Sequence, residues 1–330
     1  MAAKPFPILF ITASRLGDAI LSSGLVKTLA DEAPGARFTI AGSALTAPLF
    51  AEVPGLEALI VMEKKPAGRH WIDLWLRIRR RHWALVVDLR GSALSGFLRR
   101  SLGTVRKVRG PEVHKVVEAA RLLKVDGPPP PPYLFTSPEI EDRGESLTLG
   151  RGPILAVAPA ANWVGKTWPA ERFALAARQL LGEGGPMAGG RLMVLGGPED
   201  QEFAEPVMAV VPAARRIDMV GREELLVCYA ALKRVDLFIG NDSGLMHLAA
   251  AAGARTVGVF GPSNEILYAP WGPRCRTVRG ERSFEDFRAA DRSLSGKICH
   301  MVDLPVERVL TAAQALLAET QPEDMSARDL

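Results

Sequence analysis

Four short stretches hold residues able to do chemistry. The first is Ser14-Arg15-Leu16-Gly17-Asp18, at the mouth of an apolar strand and the start of a helix. A carboxylate there gains from the helix dipole. It is also placed to act as a general base. Arg15 beside it can hold anionic groups. The second is Asn162 to Pro169, where Lys166 and Thr167 precede Trp168-Pro169. A lysine in such a loop is a natural counter-charge for a diphosphate, or simply a solvated surface group. The third is Gly196-Gly197-Pro198-Glu199-Asp200-Gln201-Glu202. Its glycines allow close approach, and Asp200 or Glu202 can bond ribose hydroxyls or serve the helix dipole.

The fourth stretch, Asn241-Asp242-Ser243-Gly244-Leu245-Met246-His247, gives the strongest local signal. An apolar strand ends at Gly240, turn and N-cap residues follow, and a small-residue helix begins. Free N–H groups at a helix start suit a phosphate. Gly244 lets backbone approach closely, Ser243 adds a hydroxyl, and His247 lies one turn on. The plain alternative is an ordinary helix cap beside a core histidine.

These stretches need a scaffold that brings strand ends together. Strand patterns at 7–12, 36–43, 56–62 and 84–91 alternate with helical patterns at 18–33, 44–51, 70–81 and 114–125. Five prolines at 128–132 then interrupt any helix or interior strand. The alternation restarts with strands at 152–159, 191–197, 235–240 and 254–261. Helices are expected at 169–182, 199–211, 222–233, 244–253 and 305–319. Near-continuous apolar strands mean parallel sheets covered on both faces. The fold class is therefore α/β, with two doubly wound domains expected at 1–150 and 151–330. Ligands bind beyond the carboxyl ends of such strands. That directs attention to loops 13–18, 88–95, 159–168, 196–200, 241–244 and 261–265.

Composition narrows the class. The 330 residues exceed one ordinary core, and 48% hydrophobic with 24% charged residues is globular. No apolar run reaches bilayer-spanning length, and the N-terminus lacks a signal-peptide pattern. Three scattered cysteines argue for a reducing compartment and against a zinc site. The net charge of +4 is uneven: residues 1–150 carry 21 Lys+Arg against 15 Asp+Glu, and residues 151–330 carry 20 against 22. The basic residues gather at 77–83 and 99–110. Within 70–83, Trp71, Ile72, Trp75 and Ile78 share a helix with arginines 77–81, which suits either a core-facing helix or a membrane-surface one. Nucleic acid is disfavoured, with 6% aromatic residues and no recognisable motif. There is no dinucleotide fingerprint, P-loop, nucleophile elbow or zinc-protease helix, and no D-x-D for a metal-bridged diphosphate.

The four stretches, in this order, resemble family 9 of the glycosyltransferases, which contains the lipopolysaccharide heptosyltransferases. "SRLGDAILSSGLVKTL" is similar to the family's N-terminal Gly-Asp loop, and "KTWPAERF" to its Lys-x-Trp-Pro segment. "GNDSGLMHLAAAAGARTVGVFGPSN" is similar to its Asp-[Ser/Thr]-Gly-Leu-x-His signature, and "SLSGKICHMVDLPVERVLTAA" to its C-terminal cysteine segment. The resemblance covers about residues 6–320. It implies a GT-B fold, two Rossmann-like domains facing across a cleft, the first taking the acceptor and the second the nucleotide-sugar. It implies that the helix at 305–319 crosses back to the first domain. It implies an inverting, metal-independent transfer without a cofactor, with ADP-heptose as donor and a lipid-linked lipopolysaccharide core as acceptor. Asp18 matches the base; Arg15 and Gly17 accompany it on the acceptor side. Lys166 and Thr167, Glu202, and Asp242, Ser243, Gly244, Leu245 and His247 match the donor side. A cytoplasmic enzyme in peripheral contact with the inner membrane is implied. Two other readings fit the same loops: a nucleotide-sugar epimerase or hydrolase of the same fold, and a nucleotide-sugar-binding protein without catalysis. The cysteine segment is reduced to Cys299, and 263–300 follows no donor-specific pattern.

Overall fold

Apolar runs of four to seven residues become parallel strands in the computed structural model, which describes residues 5–102, 104–106, 112–124, 127–290 and 298–319. The chain divides into two units, residues 1–140 and 141–330.

In the first unit the strands are β1 (Phe6–Ile11), β2 (Ala36–Gly42), β3 (Leu56–Val61), β4 (Leu85–Asp88) and β5 (Thr104–Arg106). Among the described residues they form a parallel five-stranded sheet in the order β3-β2-β1-β4-β5. The helix expected over 18–33 is two helices, α1 (Leu16–Leu21) and α2 (Gly24–Glu32). The break has a local cause. The Ser22 hydroxyl donates to the Asp18 and Ala19 carbonyls, and the Ser23 hydroxyl to that of Ile20, competing with the helix ladder. The proline run then lies over the break. The Tyr133 N–H donates to Ser23 Oγ at 2.9 Å. A Cβ on Gly24 would sit 2.5 Å from the Pro131 carbonyl oxygen, so only glycine fits there. The prolines are therefore a strap within the first unit.

Helix α3 (Arg69–Ile78) buries Leu74 and Ile78 beside Leu9, Trp83 and Val86, with Trp71 and Trp75 packed at the edge of that core. Ile72 stays outside. The helix is thus partly core and partly surface, along two different faces. Helix α4 (Lys115–Leu123) completes this unit. The basic run 99–110 falls partly outside the described residues.

Helix α5 (Pro138–Thr148), polar and without an apolar stripe, is not expected from the sequence. Its Arg143, Glu141 and Glu145 form ion pairs with Glu223, Lys233 and Arg234. Its Gly144 lies against Ala230, where a Cβ would meet the Ala230 methyl at 2.6 Å. The second unit then runs β6 (Ile154–Ala158), α6 (Ala170–Leu181), β7 (Arg191–Val194), α7 (Gln201–Met208), β8 (Arg216–Asp218), α8 (Leu225–Leu232), β9 (Leu237–Asn241), α9 (Gly244–Ala251), β10 (Thr256–Phe260), α10 (Glu265–Tyr268), β11 (Cys275–Arg279), α11 (Phe284–Ala290) and α12 (Val306–Ala318). Its described strands form a parallel six-stranded sheet, β11-β10-β9-β6-β7-β8. The chain winds outward from β6 to β8, then returns to β9 on the other side. This is a doubly wound sheet with its switch point between β6 and β9. Helix α12 places Val309, Leu310, Ala313 and Leu316 in the core of this second unit, with Val194 and Val257. Its apolar stripe is covered there.

Candidate active site

At the switch point of the second unit, β6 and β9 lie side by side with Ala158 in register with Gly240. A Cβ on Gly240 would meet the Phe238 ring at 2.7 Å. Both strands end on loops joined by one side chain. Asn241 is fully buried. Its Nδ2 donates to the Pro159 carbonyl at 2.8 Å, and its Oδ1 accepts from the Trp168 N–H at 2.8 Å. The amide thus satisfies loop backbone from both ends of the 159–168 segment. Asn241 is expected as a turn residue; its place at the end of a fully apolar strand is the signal for this second role.

Trp168 anchors the same loop. It is fully buried, stacks edge-on against Phe173 at 4.8 Å, and donates from Nε1 to the Leu304 carbonyl at 3.0 Å. Cys299 Sγ donates to the Thr167 carbonyl and the His300 N–H to that of Gly165. Lys166 is therefore presented from a loop fixed at both ends. Its Nζ lies 3.3 Å from Asp242 Oδ2, and His247 Nε2 lies 4.0 Å from Asp242 Oδ1. All three side chains are mostly buried. The Thr167 hydroxyl turns inward, donating to the Trp163 carbonyl at 3.1 Å.

Ser243 caps α9 by its extended backbone, but its side chain makes no capping bond. Its Oγ is buried and has no hydrogen-bond partner. Buried polar atoms normally have one, and an exception calls for a reason. An anion at this helix start would supply it, since the hydroxyl and the first N–H groups of α9 would donate together. Gly244 and Leu245 open the helix, half-buried, and His247 is buried one turn on. Lys166, Asp242, Ser243, Gly244, Leu245 and His247 come together at one strand end. Glu202 sits exposed in the first turn of α7. The Asp200 carboxylate accepts from the Gly197 N–H at 2.7 Å, closing the turn after β7. Burial pushes its carboxyl up, the Gly197 bond opposes that, and Glu199 adds to it.

The loop after β10 is held by a residue with no signal in the sequence reading. Arg279, on edge strand β11, donates to the carbonyls of Gly261, Ser263 and Arg282 and to both carboxylate oxygens of Glu265. All five guanidinium donors are engaged. The 261–265 loop is thereby fixed to the next strand.

In the first unit the switch point lies between β1 and β4, where Ile11 pairs with Asp88. Asp18 stands in the first turn of α1, half-buried. Arg15 is the extended N-cap residue and is exposed; Gly17 precedes Asp18 in the helix. The Ser14 carbonyl accepts from the Ser43 hydroxyl at 3.3 Å, tying the loop after β1 to the loop after β2. The fully buried Asp88 accepts from the N–H groups of Arg90 and Ser92 and from the Ser92 hydroxyl. Arg90 stacks 4.5 Å from the Trp71 ring centroid. Burial holds its guanidinium below the usual value, with Asp88 opposing the shift.

Comparison with known proteins adds to this geometry. Residues 102–295 match the model of "Glycosyltransferase family 9 (heptosyltransferase)". The chain is 24% identical to lipopolysaccharide heptosyltransferase 2 of Salmonella typhimurium over 94% of its length and 99% of the relative. A family 9 glycosyl transferase from Veillonella parvula superposes with a TM-score of 0.79 at 21% identity, covering 97% of this chain and 99% of that one. The E. coli ADP-heptose lipopolysaccharide heptosyltransferase II superposes with a TM-score of 0.73 at 22% identity, covering 94% and 98%. The α/β architecture of two doubly wound sheets is thus that of the GT-B fold.

Proposed function

The chain belongs to glycosyltransferase family 9, and from that premise we propose that it moves heptose from ADP-heptose onto a lipid-linked lipopolysaccharide core. One observation carries the donor half of this reading: a buried, unpartnered Ser243 hydroxyl at the start of an eight-residue helix, beside Lys166. That arrangement suits a diphosphate. Relatives named as heptosyltransferases support the choice of sugar.

The reaction proposed is a single inverting displacement. An acceptor hydroxyl oxygen bonds to the anomeric carbon as the bond from that carbon to the diphosphate breaks. The hydroxyl proton passes to the Asp18 carboxylate. Such proton transfer contributes about 10²- to 10⁴-fold. The leaving ADP gains negative charge, which Lys166, the Ser243 hydroxyl and the α9 N–H groups neutralise. These groups make the transfer independent of a metal. Asp242 orients Lys166, and Asn241 holds both loops in place. Glu202, at the neighbouring strand end, is assigned to the ribose. Arg15 is assigned to anionic groups of the acceptor.

The test is a panel of nucleotide-sugars read by thermal shift, followed by nucleoside diphosphate release with and without acceptor. ADP-heptose should stabilise the protein most, and release should require acceptor. Equal release without acceptor would contradict transfer.

A further inference from the structure

Asp18 rides on α1, a helix of only six residues, Leu16–Leu21. So short a helix does not hold itself together in water. Its N-cap, Arg15, makes no side-chain capping bond. It is held by the buried face of Ala19, Ile20 and Leu21 and by its C-terminal end. Two buried serines close that end. Ser22 Oγ donates to the Asp18 carbonyl at 2.8 Å, and Ser23 Oγ donates to the Ile20 carbonyl at 2.7 Å. The Asp18 backbone is thus bonded directly to the turn that ends its helix.

The Ser23 hydroxyl can also accept a hydrogen bond. The Tyr133 N–H, 110 positions along the chain, supplies it at 2.9 Å. Tyr133 follows directly on the five prolines, so its N–H is the first that the strap can give. The residue after Ser23, Gly24, faces the strap's backbone. A Cβ there would lie 2.7 Å from the Pro130 carbonyl oxygen and 2.5 Å from that of Pro131. Leu134, buried in the first unit, pins the strap just beyond this contact. A proline run is stiff and has few conformations to lose. The strap therefore bears on the end of α1 through one hydrogen bond and one close backbone contact.

We propose that the proline strap positions Asp18. The Tyr133 N–H acts through the Ser23 hydroxyl, and the Pro130 and Pro131 carbonyls act against Gly24. Together they set where α1 ends, and so where its carboxylate meets the acceptor hydroxyl. Ser23, Gly24 and Tyr133 are positioning residues, with no contact to substrate assigned to them. The inference rests on Asp18 as the base proposed above. A general base has to lie within hydrogen-bond reach of the proton it takes. A misplacement of about 1 Å can cost about 10²-fold in rate. The strap's effect falls on the transfer step. Donor binding, built on Lys166 and α9 in the second unit, is independent of it.

The test compares two variants of the full chain at one position. Tyr133→Pro lengthens the proline run and deletes the N–H; Tyr133→Ala keeps the N–H. Tyr133→Pro should lower kcat by about tenfold or more, while the KM for ADP-heptose and the affinity for ADP stay at wild-type values. Tyr133→Ala should keep kcat within about twofold. Gly24→Ala, which sets a methyl against the two carbonyls, should behave like Tyr133→Pro. Melting temperature reports the folding of each. The double variant Tyr133→Pro/Asp18→Asn should be no slower than Asp18→Asn alone, because a misplaced base and an absent one lose the same step. Hydrogen exchange at the α1 amides should quicken in Tyr133→Pro. Unchanged kcat in folded Tyr133→Pro, an equal loss in Tyr133→Ala, additive losses in the double variant, or unchanged α1 exchange would overturn the inference. Normal turnover by Asp18→Asn would remove the base reading separately. Faster α1 exchange in Tyr133→Pro would then leave the strap's hold on that helix standing.

Discussion

Lys166 Nζ and Asp242 Oδ2, 76 positions apart in the chain, stand 3.3 Å apart at the switch point of the second sheet. The pair joins the loop after β6 to the loop after β9. It holds a cation on Asp242, two residues before α9 begins. A charge-assisted bond to a phosphate is worth about 1.5–3 kcal/mol. Lys166→Ala should therefore weaken ADP binding by roughly tenfold to a hundredfold. Calorimetric titration with ADP measures it. Unchanged affinity would mean that Lys166 serves only Asp242.

Ser243→Ala separates ligand binding from stability. Its hydroxyl has no partner in the folded chain, so removing it should leave thermal stability equal or slightly raised. ADP affinity should fall by about fivefold, the worth of one neutral hydrogen bond. Parallel melting curves and titrations check both halves. A clear loss of stability would assign the hydroxyl a structural partner instead.

Asn241→Ala should behave in the opposite way. It strands the Trp168 N–H and the Pro159 carbonyl, both now bonded to the buried amide. A loss of about 2–4 kcal/mol is expected from two unsatisfied buried groups, read by urea unfolding. Donor affinity should fall with it, because Lys166 rides on the released loop.

Much of this organisation was legible in the residues. The central strands are unbroken apolar runs, and such runs admit little besides buried parallel strands. Edge strand β3 was legible, at 56–62, but edge strands β8 and β11 were not. β8 has three residues, and β11 reads Cys-Arg-Thr-Val-Arg, polar enough to pass for a loop. Helix α5 was missed because ion pairs to the residues around α8, rather than an apolar stripe, hold it. The donor-side stretches were visible as turn chemistry at strand ends. The residues that fix them were not. Asn241 and Arg279 act by reaching backbone carbonyls and amides distant in sequence, a role that residue type and spacing do not encode. Trp168 stands just before the helix expected at 169–182, and nothing in its position marks its ring as a core anchor. On α3, Trp71 and Trp75 pack at the edge of the core, which is the core-facing reading.

The buried thiols set an alkaline limit. Burial pushes both Cys228 and Cys275 up to about 12, from an unperturbed 9.0. The folded chain keeps these protons where the unfolded chain has lost them. Stability is therefore fully present below pH 9.0 and declines as pH rises toward about 12. Cys228→Ala should flatten that decline, seen as a smaller loss of melting temperature between neutral and alkaline buffer. In native protein at pH 8, the buried Cys228 thiol should also resist alkylation. Rapid labelling of Cys228 would contradict its burial.

The most direct measurement is single-turnover transfer from ADP-heptose to a lipopolysaccharide core acceptor by Asp18→Asn, with ADP affinity measured on the same sample. The rate should fall by about 10²- to 10⁴-fold, while ADP affinity and melting temperature stay at wild-type values. Near-normal turnover by the folded variant would contradict the assignment of Asp18 as the base that deprotonates the acceptor.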